Sequence, residues 1–187
     1  RAAALASNQD PIPRPLSLYV HIPFCSSPCF YCGCTKVITR NHEKAEAYLY
    51  RLHREIELQS QLYDRDREVE QLHFGGGSPT FLADAELARV MDSLRRAFRI
   101  EAGAEVSIEV DPRTASPERL RRLHEMGFNR LSFGIQDFDP DVQKAVHRVQ
   151  SYDSVRDLVH AARAIGYDSI NADLIYGLPL QTAVSFE

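Results

Sequence analysis

Short segments that read as β-strands recur along this chain, and nearly every one is followed by a segment whose apolar residues return every three or four positions. No other feature narrows the fold as far. A strand is expected over 16–22, then a helix over 43–63 with Ala47, Leu49, Leu52 and Ile56 at helical spacing, then a second strand over 69–74. Asp84 is placed to cap the next helix, whose stripe is Leu87, Val90, Met91, Leu94 and Phe98, and a third strand follows over 105–110. Ser116-Pro117-Glu118 opens another helix, and Gly127 stands where that helix should stop. The fourth strand is expected over 130–135. Helical segments over 139–147 and 154–165 then lead through Gly166 to a fifth strand over 169–175.

Strands that alternate with helices require a parallel sheet joined by right-handed crossovers, either doubly wound or closed toward a barrel. Residues 1–15 hold three prolines and little apolar periodicity, so they read as an extended arm ahead of a core over 16–187. The chain begins at Arg1 and stops where a fifth helix should start, so a fragment of a longer protein is expected, with the C-terminal remainder of the core missing.

Function classes are narrowed by charge and cysteine placement. A net charge of -4 supplies no general positive field, which disfavours nucleic acid or an anionic membrane as partner. The basic cluster Arg119, Arg121 and Arg122 reads as a solvated helix face. No apolar run reaches the roughly 20 residues of a membrane span, and the cytoplasm is the expected compartment. All four cysteines fall between positions 25 and 34, too close together to staple the fold, so metal or redox chemistry is expected instead.

Cys25-Ser-Ser-Pro-Cys29-Phe-Tyr-Cys32 has the spacing C-x3-C-x2-C in a loop after the first strand. Three thiolates can hold a [4Fe-4S] cubane and leave one iron open to chelate the amino and carboxylate groups of S-adenosylmethionine. A structural zinc site that recruits Cys34 is the plainer alternative, although zinc ligands usually come as two separated pairs. The glycine triplet Gly75-Gly76-Gly77, taken alone, reads equally well as a turn. Asp173, between Ala172 and Leu174, reads as a carboxylate in an apolar strand and so in need of a partner. His42, His53, His124 and His160 read as helix-surface residues, and His21 is the one histidine singled out for testing.

Several blocks in order, namely Tyr19-Val-His-Ile-Pro-Phe-Cys25, the cysteine triplet, Phe74 to Thr80, Ser107 to Pro112, Phe133 to Asp137 and Asp173 to Pro179, resemble the oxygen-independent coproporphyrinogen III oxidases. Those are members of the radical S-adenosylmethionine superfamily. The resemblance runs from about Leu16 to the last residue, and Cys32-Gly33-Cys34 favours the oxidases over the related haem chaperones. It implies a partial (β/α) barrel of radical S-adenosylmethionine type, cut after about five strands.

It also implies site residues. Cys25, Cys29 and Cys32 would bind the cluster. Tyr19, Tyr31, Gly76 and Glu109 would meet a first S-adenosylmethionine, while Gly77, Ser78, Gln136, Arg148 and Asp173 would lie near a second. The implied reaction is oxidative decarboxylation of coproporphyrinogen III to protoporphyrinogen IX for haem synthesis, with hydrogen removed from propionate side chains that become vinyl groups. A porphyrinogen substrate, a flavodoxin-type electron donor and a monomeric state go with it, and the isolated fragment is expected to be inactive. A haem chaperone that keeps the cluster without decarboxylating is the alternative.

Overall fold

The computed structural model describes residues 1–186. In chain order the elements are α1 (Ala2–Ser7), β1 (Leu16–Ile22), β2 (Phe24–Cys25), β3 (Val37–Ile38), α2 (Glu43–Ser60) and β4 (Glu68–Gly76). A 3-10 turn at Pro79–Phe81 leads to α3 (Asp84–Ala97), β5 (Arg99–Val110), α4 (Pro117–Glu125) and β6 (Arg130–Gln136). The chain continues through α5 (Pro140–Ala145), α6 (Tyr152–Ile165), β7 (Ser169–Leu174) and α7 (Ala183–Phe186).

The five long strands form one sheet in the order β1-β4-β5-β6-β7, every neighbouring pair parallel. Each new strand is added on the same side of the last. A doubly wound sheet would reverse its direction of growth part-way, whereas steady growth is the winding of a (β/α) barrel wall. The remaining strands, β2 and β3, pair with each other beside the main sheet.

Period-two alternation gives this sheet two unlike faces. Val20, Leu72, Phe74, Val106, Ile108, Leu131 and Phe133 are buried in one core with Leu49, Leu52, Leu87, Leu94, Leu120 and Leu158 of the helices. The residues between them are Tyr19, His21, His73, Ser107, Glu109, Ser132, Asn171 and Asp173, and they point the other way. Register aligns them in rows, with Tyr19 opposite His73, His73 opposite Ser107, Glu109 opposite Ser132 and Ser132 opposite Asn171. All-parallel sheets are usually apolar on both faces. A polar inner face here is the wall of a binding cavity.

The helix signals act as their chemistry predicts at two termini. Ser116 Oγ accepts from the Arg119 N–H at 3.2 Å, and Gly166 ends α6 in the left-handed conformation at φ 105°. Other expectations need correction. The first fifteen residues are not extended throughout: the alanine-rich run forms α1, since its prolines begin only at Pro11 and alanine favours helix. Arg67 fastens that arm by donating to Ser7 Oγ at 2.8 Å, Asn8 Oδ1 at 3.1 Å and the Arg14 carbonyl at 2.5 Å.

Helix α2 stops at Ser60, three residues early, in a turn closed by Leu62 N–H on the Gln59 carbonyl. Asp84 is the first residue of α3 and not its cap; the Ala83 N–H donates to Glu86 Oε2 at 2.7 Å instead. Freed from capping, the Asp84 carboxylate pairs with Arg119 at 2.9 Å and Arg122 at 2.5 Å. Those two arginines therefore tie α4 to α3, and of the three only Arg121 lies on a solvated face. His42 is exposed, as its surface reading expects, while stacking on Phe81 with ring centroids 4.4 Å apart; His53 is half-buried with Nδ1 2.9 Å from Ser93 Oγ between α2 and α3. His124 packs edge-on against Tyr167, and His160 is exposed as expected.

Candidate functional site

The polar face and the loops beyond the carboxyl ends of the strands enclose a cavity of about 610 Å3. Ligand sites of parallel α/β folds lie at this end of the sheet. Cys25, Cys29 and Cys32 all line it, with Tyr31, Gly76, Gly77, Ser78, Glu109, Gln136, Arg148 and Asp173. Tyr19 and His21, also singled out from sequence, are outside the lining, and Tyr19 stands opposite His73 on the same face.

The cysteine loop is anchored at both ends of its span. Val37 N–H donates to the Pro23 carbonyl at 2.7 Å and Thr39 N–H to the Cys25 carbonyl at 2.9 Å, closing its base. Its tip rests on the segment after α5. There Phe30 N–H meets the Val146 carbonyl at 3.0 Å, His147 Nδ1 lies 2.8 Å from the Pro28 carbonyl oxygen, and the Phe30 and His147 rings stack at 5.2 Å.

The three thiols differ in electrostatic environment. Burial, then the neighbouring Cys32 and Cys29, push the Cys25 thiol up to about 11. Burial acts the same way on Cys32. There, however, hydrogen bonds from the Cys34 N–H and thiol and from the Lys36 ammonium outweigh it and hold the thiol below its ordinary value. Lys36 Nζ also donates to the Cys32 carbonyl at 2.6 Å. Iron and other metals bind thiolate, so cations around the loop favour the form a metal needs. Among the described residues, no three His, Cys, Asp or Glu side chains already stand together as a metal-holding group. The sulfurs share one wall of the cavity without being drawn to a point.

Next to the thiols the glycines let backbone pack where no side chain would fit. Gly76 has φ 123°, a region that L-residues avoid, and a Cβ there would lie 2.9 Å from the His21 ring. At Gly77 a Cβ would lie 2.9 Å from Cys25 Sγ and from the Phe24 carbonyl oxygen. The Gly76 N–H donates to Glu109 Oε2 at 3.2 Å, while the His73 ring holds Ser107 Oγ at 2.7 Å and approaches Glu109 Oε1 at 3.4 Å. Tyr19 stacks on His73 at 5.7 Å and its hydroxyl meets His21 Nδ1 at 3.0 Å. His21 thus has a structural part: its other nitrogen lies 2.9 Å from the Thr35 carbonyl oxygen of the cysteine loop.

On the far side of the cavity, Gln136 lies in the left-handed region at φ 72°, a strain of about 1–3 kcal/mol for a non-glycine residue, and its Oε1 is buried without a hydrogen-bond partner. Strain and an orphaned acceptor together mark a position shaped for a ligand. Arg148 is 8% exposed, so it is no surface helix arginine. It donates to the Gly134 carbonyl through Nε at 3.2 Å and Nη2 at 2.5 Å. Asp173 corrects the sequence reading in the opposite sense. It is exposed on the polar face and accepts from Ser132 Oγ at 3.1 Å and Asn171 Nδ2 at 2.7 Å, so it incurs little desolvation.

Two residues were missed as site residues. Asp111 and Arg113 follow β5 directly, and Arg113 Nη2 sits 2.7 Å from Asp111 Oδ2 at the cavity wall. The signal that could have found them was their place immediately after a strand end.

A family model described as the radical SAM superfamily matches residues 19–187. The chain is 52% identical over 175 residues to the oxygen-independent coproporphyrinogen III oxidase of Pseudomonas aeruginosa, and 51% identical over 173 residues to that of Escherichia coli. In each case the match covers 92% of this chain and 38% of the relative. The solved structure of the Escherichia coli coproporphyrinogen III oxidase, described as a radical SAM enzyme, superposes with a TM-score of 0.92 at 49% identity, over all of this chain and 43% of that one.

Proposed function

Because this chain belongs to the radical SAM superfamily, we propose that its cavity holds a [4Fe-4S] cluster on Cys25, Cys29 and Cys32 and binds S-adenosylmethionine beside it, within an oxygen-independent coproporphyrinogen III oxidase. The supporting observation is that three thiols on one cavity wall, flanking cations, a side-chain-free glycine edge and an orphaned buried acceptor share one end of a parallel sheet. Their chemistry fits both groups, since thiolates suit iron and a polar wall with a carboxylate suits a zwitterionic sulfonium nucleoside.

When bound, cluster and S-adenosylmethionine supply the one-electron, hydrogen-abstracting chemistry, and the protein supplies position. Glu109, fixed by Gly76 N–H and His73, presents its carboxylate at the ends of β4 and β5, where it can accept from a ligand hydroxyl or amine. Tyr19 backs that pair and Tyr31 walls the cluster side. Gly77 and Ser78, with Gln136, Arg148 and Asp173, line the space that a second S-adenosylmethionine would take.

The proposal extends to the whole reaction, loss of carbon dioxide from two propionates of coproporphyrinogen III to give protoporphyrinogen IX. This chain spans about 38% of the length of the curated relatives it matches, so substrate, a flavodoxin-type electron donor, a monomeric state and action in the cytoplasm are proposals too. Among the described residues no helix is long and apolar enough to cross a membrane.

Anaerobic reconstitution with iron and sulfide, followed by electron paramagnetic resonance of the reduced protein, is the test. We expect a [4Fe-4S] signal that S-adenosylmethionine perturbs and that Cys25→Ser, Cys29→Ser or Cys32→Ser abolishes. Tight zinc with no cluster would sink the proposal. Stoichiometric haem binding without methionine release would turn it toward a haem carrier.

A further inference from the structure

Two guanidinium groups converge on one sulfur. Arg113 Nη2 lies 3.6 Å from Cys29 Sγ, and Arg148 Nη1 lies 3.4 Å from the same atom. Both side chains are largely out of water, at 21% and 9% exposure.

Such a convergence has to be held together, because two cations repel. Asp111 takes Arg113 with two atoms, Nε at 3.0 Å from Oδ1 and Nη2 at 2.7 Å from Oδ2, and its Oδ1 lies 3.5 Å from Arg148 Nη2. The Gly134 carbonyl fixes Arg148 from behind, and a Cβ at Gly134 would come 2.9 Å from Arg148 Nη2. One carboxylate against two guanidinia leaves the group with a single net positive charge, aimed at Cys29.

We infer that Arg113 and Arg148, clamped by Asp111, raise the reduction potential of the cluster held by Cys29. The inference rests on the cluster reading above. Reduction adds one negative charge to the cluster. Donors to a ligating sulfur and fixed cations beside it stabilise that extra charge, and a half-buried wall screens them poorly. Arg113 matters most here because no other part of the site employs it: its partners are Asp111, Cys29 and the His147 carbonyl.

The test is a redox titration of the anaerobically reconstituted chain followed by electron paramagnetic resonance, on wild type, Arg113→Gln, Arg148→Gln and Arg121→Gln. Arg121 is exposed on α4 and controls for loss of one charge anywhere on the protein. At equal iron and sulfide content, Arg113→Gln and Arg148→Gln are each expected to shift the ratio of reduced to oxidised cluster about tenfold toward oxidised at a fixed potential. For a one-electron couple that is a midpoint about 59 mV lower. Arg121→Gln should leave it in place. Unchanged midpoints in both cavity variants would overturn the inference and leave the cluster reading intact, whereas a wild-type chain that takes up no cluster would remove both. Should Arg113→Gln fail to load, Arg148→Gln reaches the same sulfur independently and decides the matter.

Discussion

Gly77 leaves no room for a side chain because Cys25 lies directly against it, its Sγ 2.9 Å from where a Cβ would stand. The glycine-rich loop after β4 and the cysteine loop after β1 are therefore one packed unit. Gly77→Ala should displace Cys25 or the Phe24 carbonyl, an overpacking cost of about 1–3 kcal/mol. The expected outcome is clearly lower iron per chain after reconstitution with an unchanged far-ultraviolet circular dichroism spectrum. Full loading of Gly77→Ala would show that the contact relaxes freely.

Glu109 provides a second handle. Its carboxylate is fixed by Gly76 and His73 and is open to the cavity. Removing a charged hydrogen-bonding partner costs about 1.5–3 kcal/mol, so Glu109→Ala should weaken S-adenosylmethionine binding by about tenfold or more. Calorimetry on the reconstituted protein checks this, with iron content as the control. An unaltered dissociation constant would take Glu109 out of the ligand site.

Asp111 should make stability depend on pH. Burial acts to raise its carboxyl, but the hydrogen bonds and charge of Arg113 and the charge of Arg148 outweigh it and hold the group below the usual carboxylate range. A folded-state value below the unfolded one gives stability that is fully present above the unfolded value, about 4, and lost as pH falls through the folded value. At neutral pH, Asp111→Asn is expected to cost about 2 kcal/mol. Thermal melts from about pH 7 down to about pH 2 should show the two proteins converging only in acid. A constant gap across that range would mean the carboxylate charge is not what Arg113 and Arg148 respond to.

Much of the wall was legible from the residues alone because local rules govern it. Strand β1 has the bounds that its pattern predicts, and Ser116 and Gly166 terminate helices through bonds that need only near neighbours. Strand β5 is six residues longer at its start than its apolar pattern suggested, running from Arg99 and not from 105. That extension begins in pairing with Glu68 and Val69 of β4, with only Ala104 fully buried within it, and pairing leaves no mark on composition.

The chemistry divides along the same line. The C-x3-C-x2-C spacing by itself pointed to metal or redox chemistry, because clustered thiols carry that information, whereas the glycine triplet and Glu109 gained a ligand role only through the family resemblance. Which face Asp173 occupies was decided by the neighbours of β7, since alternation assigns two faces but does not say which one the helices cover. The position of Arg113 against Cys29, 84 residues away in the chain, and of Arg148, 119 residues away, follows from strand order. Steady addition of strands brings the loops after β1, β5 and β6 to one rim, and at that rim a half-buried aspartate gathers two arginines onto a single sulfur.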